Sequence, residues 1–282
     1  MTANVYPWLA LERKGVKPVL LETARIGEIT PEIVERALTE RTKLVALASA
    51  NYCSGYRIDL EGIGALCAER GVLFSVDAIQ TLGAFPVALK HVDFLSAGAQ
   101  KWILGPSGAG ILYVKKDRSE LLRPAIIGGW NVVSPNFIAQ RKVEFETGGR
   151  KFEPGAYTHS VLAGLRAAVE LLLEAGPNEI SNQIRTLNQS LRDQLAPAAF
   201  EFLSPDEEKN RCGILTLRHP RVSSDALWEA AAKNDIVISL RFDRADRSWL
   251  RVSPHFYNTE AEITKIAELL LRGVEAAVPI RK

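Results

Sequence analysis

Residues 72–114 read VLFSVDAIQTLGAFPVALKHVDFLSAGAQKWILGPSGAGILYV. Three short apolar runs punctuate this stretch: Val72–Val76, Phe94–Ala97 and Gly110–Val114. Each is strand-sized, and Gly, Pro or polar residues separate them, as expected of buried strands. Upstream, Lys43–Ser49 (KLVALAS) is a further run of the same kind. Leu60, Ile63, Leu66 and Cys67 recur at helical spacing, and Gly71 stops that helix. Thr30 and Pro31 read as an N-cap and first helical position ahead of an apolar face of Ile33, Val34, Ala37 and Leu38. Short apolar strands alternating with helices predict an α/β fold, a mostly parallel sheet covered on both faces. In such folds ligands sit at the carboxyl ends of the strands.

Asp77 closes the first run of the quoted stretch, Gln80 follows three residues later, and Lys101 follows the second run. An Asp, a Gln and a Lys at adjacent strand ends can hold and activate pyridoxal 5'-phosphate (PLP). Lys101 would form the Schiff base to its aldehyde, and Asp77 would keep the pyridine nitrogen protonated. Gln80 would donate to the ring's phenolic oxygen. Each residue alone has a plainer reading: an Asp after a strand is usually only a polar loop residue. The combination with Trp102-x-x-Gly105-Pro106 is far more specific. Gly105-x-x-Gly108-x-Gly110 leads into a strand rather than a helix, so it is a turn and not a nucleotide loop. Cys53 reads as a small buried hydrophobe. His159 reads as a helix-start residue, and His91, His219 and His255 show no metal-ligand spacing.

Composition sets the outer bounds. The chain has 282 residues, is 47% hydrophobic and carries a formal net charge of +2, which exerts no general pull toward nucleic acid or acidic membranes. Three scattered cysteines suggest a reducing compartment. No apolar run approaches the roughly 20 residues of a membrane span, and Glu12 and Arg13 interrupt any apolar core of a signal peptide. A cytoplasmic protein is expected. After Gly155 the texture changes. Helices are expected over His159–Ala175 and on to about Leu195, then a strand (Cys212–Leu217), a helix (Ser224–Ala232) and strands at Ile236–Phe242 and Trp249–Val252. A capping box, Thr259-x-x-Glu262, opens the last helix. The expected division is a large domain over 1–176 and a small C-terminal α+β domain over 177–282.

The motifs ANVYPW, ASANYCSGYRIDL, SVDAIQ, QKWILGP, KFEPGAYTH and LRVSPHFYNTEAEI carry a wider likeness. From Asn4 to about Leu270 the chain resembles the class V aminotransferase family of fold-type I PLP enzymes, which includes cysteine desulfurases, kynureninases and isopenicillin-epimerase-like proteins. The resemblance implies the PLP-dependent transferase fold, an amino acid substrate and a homodimer. It places Asn51 by the cofactor ring and substrate, and Arg251 on the substrate's α-carboxylate, which a planar guanidinium grips in two places. It implies no metal.

Several positions depart from the family pattern. Gln100 precedes the lysine where His is frequent, so proton transfer would fall to Lys101. Gly98 stands where a phosphate-contacting Ser or Asp is common, leaving the backbone amides of Gly98 and Ala99. Gly155-Ala156 replaces a Gly-Thr pair. Full-length relatives also carry a long stretch before the ANVYPW motif, with a Gly/Thr-rich phosphate loop and an aromatic residue stacked on the ring. The chain by itself is therefore expected to be poorly soluble, to bind PLP weakly, or to be completed by a second polypeptide. Desulfurases use a mobile cysteine shortly before the carboxylate-binding arginine, and SLRFDRADRSWLR (239–251) has none. Transamination is the expected reaction. PLP-dependent lyase or epimerase chemistry, a desulfurase-like protein without its cysteine, and a non-catalytic remnant are the alternatives.

Overall fold

The computed structural model describes residues 2–277. Its helices are α1 (Tyr6–Leu9), α2 (Pro31–Ala37), α3 (Leu60–Glu69), α4 (His159–Ala175), α5 (Pro177–Leu195), α6 (Ser224–Lys233) and α7 (Glu260–Ala277). Its strands are β1 (Leu44–Ala48), β2 (Leu73–Asp77), β3 (Phe94–Gly98), β4 (Gly110–Val114), β5 (Glu201–Phe202), β6 (Leu215–Arg218), β7 (Ser239–Phe242) and β8 (Ser248–Val252). The helix starts follow the capping chemistry of the sequence. The Thr30 hydroxyl accepts from the Ile33 amide at 3.4 Å, and Asp59 Oδ1 accepts from the Gly62 amide at 2.9 Å. Thr259 and Glu262 cap one another reciprocally, with Thr259 N donating to Glu262 Oε2 at 2.8 Å and Glu262 N to Thr259 Oγ1 at 3.3 Å.

The first sheet has the order β1-β2-β3-β4, with β1, β2 and β3 parallel and β4 antiparallel at the edge. One face is apolar throughout: Val45, Leu47, Phe74, Val76, Leu95 and Ala97 are buried in a core shared with Val34, Ile63 and Cys67. The opposite face carries Ser75, Asp77, Ser96 and Leu112, of which Ser96 and Leu112 are exposed. Cover on both faces, expected from the strand pattern, is thus only partial among the described residues. On the open side the segment around α1, with Asn4, Pro7 and Trp8, walls a cavity of about 540 Å³ whose floor includes Asp77, Ser96, Gly98 and Leu112.

The second sheet has the antiparallel order β5-β6-β8-β7. Its core joins Leu215, Leu217, Leu250 and Val252 to Leu227 of α6 and Ile263, Ile266 and Leu270 of α7. The helix α5 serves both cores, Ile180 and Ile184 facing the first and Leu187, Leu191 and Leu195 the second. Two strands are shorter than their apolar runs. Cys212–Ile214 stays outside β6 because Gly213 lies under the Trp102 ring and the Ile214 carbonyl accepts from Ser204 Oγ at 3.2 Å. Ile236–Ile238 stays outside β7 because the Ile236 amide closes the end of α6 on the Ala231 carbonyl (3.0 Å), and Val237 is almost fully exposed.

Trp102 ties the two sheets together. Its buried indole donates to Gln80 Oε1 at 3.4 Å, and its ring packs on His255 with centroids 5.2 Å apart. A Cβ at Gly213 would collide with the indole, and a Cβ at Gly83, which sits at φ 98°, would collide with the Trp102 carbonyl. Both glycines are required by close approach. Trp102→Ala is therefore expected to destabilise the chain by about 3–5 kcal/mol in urea unfolding. Trp102→Phe, which keeps an aromatic ring and loses the donor to Gln80, should cost clearly less.

Candidate active site

Asp77 and Lys101 reach the same end of the first sheet by different local routes. Asp77 is the last residue of β2, half-buried, and its Oδ1 accepts from the Ile79 amide at 3.1 Å. Burial pushes its carboxyl pKa up, and the Ile79 N–H and the charge of Lys101 work against that rise. Lys101 stands just beyond β3 in a turn closed by the Leu104 amide on the Lys101 carbonyl (3.0 Å) and the Gly105 amide on the Ala99 carbonyl (2.9 Å). Leu104 takes a left-handed φ of 59° to make that turn, a strained state for a leucine. The Lys101 stem is exposed, yet its amine pKa is lowered, first by desolvation and then by the nearby Arg251, with Asp77 opposing and Arg241 adding to the effect. Lys101, Asp77, Arg251 and Arg241 thus share one electrostatic neighbourhood.

Arg251 projects from β8 onto the loop after β1. Its Nη1 donates to the Tyr52 carbonyl at 2.9 Å, while its buried Nε has no acceptor. Asn51 lies in that same loop, but its Oδ1 is committed to the Cys53 and Ser54 amides at 2.8 and 3.0 Å. Its carbonyl oxygen shapes the loop, so only the Nδ2 end could turn toward a ligand. Gln80 is buried with Oε1 held by the Trp102 indole. Gln100 is exposed and folds its side-chain amide back over Gly98. The Ala99 amide, expected to offer itself to an anion, instead donates to the Ala109 carbonyl at 3.0 Å. The larger cavity of the molecule, about 750 Å³ and lined by Arg25, Tyr56, Phe85 and Lys209 among others, contains none of these residues.

Three contributions go beyond the residues singled out in the sequence. Arg241 of β7 joins Arg251, and its signal was present as the paired Leu-Arg steps Leu240-Arg241 and Leu250-Arg251 on adjoining strands. Asn4 and Trp8, linked by a 3.0 Å bond from Trp8 Nε1 to Asn4 Oδ1, wall the cavity over Asp77. His255 is buried, with Nε2 at 3.0 Å from the Trp102 carbonyl and Nδ1 accepting from the Phe256 amide at 2.8 Å. That pair of bonds selects the neutral imidazole with its proton on Nε2. The ring therefore braces the residue next to Lys101.

The thiols are unlike nucleophiles. Cys53, Cys67 and Cys212 are all buried, and burial pushes each thiol pKa up, to about 11 for Cys67 and Cys212. The β7–β8 hairpin is closed by Asp243, which accepts from the Ala245 and Arg247 amides, Arg247 Nε and Trp249 Nε1 at 2.7–3.1 Å. Those bonds hold its carboxyl pKa down to about 2.

The family model for class-V aminotransferases matches residues 1–266, and the chain belongs to that family. A probable cysteine desulfurase of Borreliella burgdorferi is 33% identical over 175 residues, covering 60% of this chain and 41% of that protein. An uncharacterized aminotransferase of Bacillus subtilis is 27% identical over 239 residues, covering 84% of this chain and 61% of its own length. This chain therefore spans less than two thirds of either relative. The fold is that of the apo cysteine desulfurase of Thermococcus onnurineus, with a TM-score of 0.88 at 22% identity over 97% of this chain and 70% of that one.

Burial holds the His255 and His219 pKa values below the ordinary 6.5. The unfolded chain thus binds protons at these rings before the folded chain does, so stability is full above about pH 6.5 and falls as pH drops below it. Thermal melts at stepwise lower pH should show a falling midpoint. His255→Gln, which keeps a donor for the Trp102 carbonyl without titrating, should flatten part of that fall.

Proposed function

We propose that this class-V aminotransferase family member is a PLP-dependent enzyme acting on an amino acid, and that its reaction is transamination rather than sulfur transfer. The observation that carries this reading is the meeting of Lys101 and Asp77 at neighbouring strand ends, with Arg251 in the same electrostatic neighbourhood and carrying a buried N–H that has no acceptor. These residues match the cofactor by donor chemistry: a primary amine for its aldehyde, a carboxyl group for its ring nitrogen, and a guanidinium for the substrate's α-carboxylate. When bound, PLP supplies an electron sink for charge developing at the substrate's α-carbon.

The chain's own residues divide the remaining work. Asp77, half-buried beside the Lys101 charge, holds a proton on the ring nitrogen. Arg251 orients the substrate by its carboxylate, and the Nδ2 end of Asn51 lies on the same loop to assist. Gln80, pinned by Trp102, would donate to the ring's phenolic oxygen, and the exposed amide of Gln100 would add a further donor to the cofactor. Lys101, with its pKa brought down, moves the proton at the α-carbon. Gln100 cannot do so, having no titratable proton. We take residues 1–176 and 177–282 as the two units of this enzyme. A cytoplasmic location and a homodimer belong to the same reading, the homodimer supported by the exposed apolar side chains of Ile126, Ile127, Phe137 and Ile138.

Desulfurase chemistry needs an accessible thiolate. The buried, high-pKa cysteines and the Asp243-closed hairpin argue against sulfur transfer, which leaves transamination as the family's default and lyase or epimerase chemistry as the alternative.

The test is an absorbance titration of the purified chain with PLP, followed by borohydride reduction and peptide mapping. At PLP concentrations high enough to offset weak binding by this chain alone, a visible band with the reduced adduct on Lys101 is expected, lost in Lys101→Ala. Asp77→Asn should slow loss of the band on adding an amino acid by roughly 100-fold or more. Adducts scattered over surface lysines, or release of sulfur from cysteine, would overturn the reading.

A further inference from the structure

Arg241 and Arg251 form a pair that the binding of one carboxylate does not use up. In the β7–β8 ladder Ser239 pairs with Arg251 and Arg241 with Trp249. Arg241 and Arg251 therefore lie on the same face of the sheet as diagonal neighbours, roughly 7–8 Å apart along the backbone. Both guanidiniums carry a buried Nε without an acceptor. The remaining bonds of Arg241 are weak and local, Nη1 to the Leu240 carbonyl at 3.2 Å and Nη2 to Ser239 Oγ at 3.4 Å. Arg251 adds only its bond to the Tyr52 carbonyl. Among the described residues neither arginine has a carboxylate within ion-pair distance, although Asp243, the nearest acid in sequence to Arg241, is close by on the same hairpin. Asp243 is spent on Arg247 and Trp249.

Two partly buried cations side by side repel one another, and leaving a buried charged donor unbonded costs free energy. Such an arrangement is tolerated where a ligand supplies the missing anions. One carboxylate satisfies one bidentate guanidinium. The second guanidinium calls for a second anionic group on the same ligand.

We propose that Arg241 is a specificity residue for a second carboxylate, so that the substrate is a dicarboxylic amino acid whose α-carboxylate meets Arg251 and whose side-chain carboxylate meets Arg241. The assignment rests on the PLP-enzyme reading for the α-carboxylate end, yet its test needs no cofactor. Diagonal positions on one face put both guanidiniums within reach of one small dicarboxylate. Lys101, lying in the same field, adds to the attraction for a dianion.

Isothermal titration of the chain with succinate, glutarate and butyrate, without PLP, reads the site directly. The dicarboxylates should bind at least roughly tenfold more tightly than butyrate, the discrimination expected from one charged hydrogen-bonding partner. Arg241→Met should erase that preference while leaving butyrate binding in place, and Arg251→Met should weaken all three. Unfolding midpoints of both variants establish that each is folded. A wild-type chain with no preference for the dicarboxylates, absence of all binding included, overturns the proposal. So does an Arg241→Met variant that keeps the preference. The PLP absorbance titration answers separately, so loss of this proposal and loss of the PLP reading produce different patterns.

Discussion

The wedge of Trp102 between the two sheets is the constraint on which the site depends. The residue that would bind a cofactor covalently is followed at once by a residue of the first core that also packs on Gly213 and His255, next to strands of the second sheet. Because Trp102 is held by Gln80 on one side, by the approach of Gly213 on another and by His255 on a third, the turn carrying Lys101 has no freedom to relax. That explains why a leucine is kept at a left-handed φ in the same turn. The packing of the wedge overrides the local cost, which for one such residue is about 1–3 kcal/mol. Position is bought with strain at Leu104, and the position gained is that of the Lys101 amine.

A second layer is electrostatic. Three cations, Lys101, Arg241 and Arg251, share a neighbourhood in which Asp77 is the acid that acts on the lysine. Elsewhere the chain pairs its arginines readily: Arg118 with Asp93, Arg218 with Glu201 and Arg247 with Asp243. The contrast makes the unpaired set a local feature rather than a general shortage of acids, since the whole chain carries 35 basic and 33 acidic residues. Positive potential is concentrated where an anionic substrate would enter, and partial desolvation keeps it from being screened away. Burial first, and the same surplus after it, lower the lysine pKa, which increases the share of neutral amine available for proton transfer.

How much of this could be read from the sequence varies with the range of the interactions involved. Strand and helix positions were legible because they rest on local period and capping. Gly110–Val114, His159–Ala175 and the Thr259–Glu262 box recur in the structure at the expected residues. The ends of β6 and β7 were not legible, because Cys212–Ile214 and Ile236–Ile238 are drawn out of the ladder by contacts with Trp102, Ser204 and α6 that no window of sequence contains. Asp77 and Lys101 stood out through their strand-end placement. Arg241 did not, since its meaning arises only when the hairpin register sets it diagonal to Arg251. Ligand spacing gives His255 no role in the sequence, whereas in the fold it is held by a carbonyl 153 residues away. The motif ANVYPW was noticed as a likeness alone, and its wall over the Asp77 cavity depends on a segment folding back across the sheet.

The hairpin between β7 and β8 shows how one fold can host different chemistries. A sulfur-transferring enzyme needs a thiol that travels from substrate to acceptor, and hence a segment free to move before the carboxylate-binding arginine. Here that segment is short and closed by four hydrogen bonds on a single carboxylate, Asp243. A carboxyl pKa of about 2 means that Asp243 stays ionised and the closure persists across the whole range in which the protein would work. The ladder of the same hairpin sets Arg241 and Arg251 in register on one face. A fixed two-point anchor suits reactions in which the substrate must be held in one orientation while a proton is moved at its α-carbon. Closure of the turn by Asp243 and the strand register that aligns Arg241 with Arg251 belong to the same hairpin.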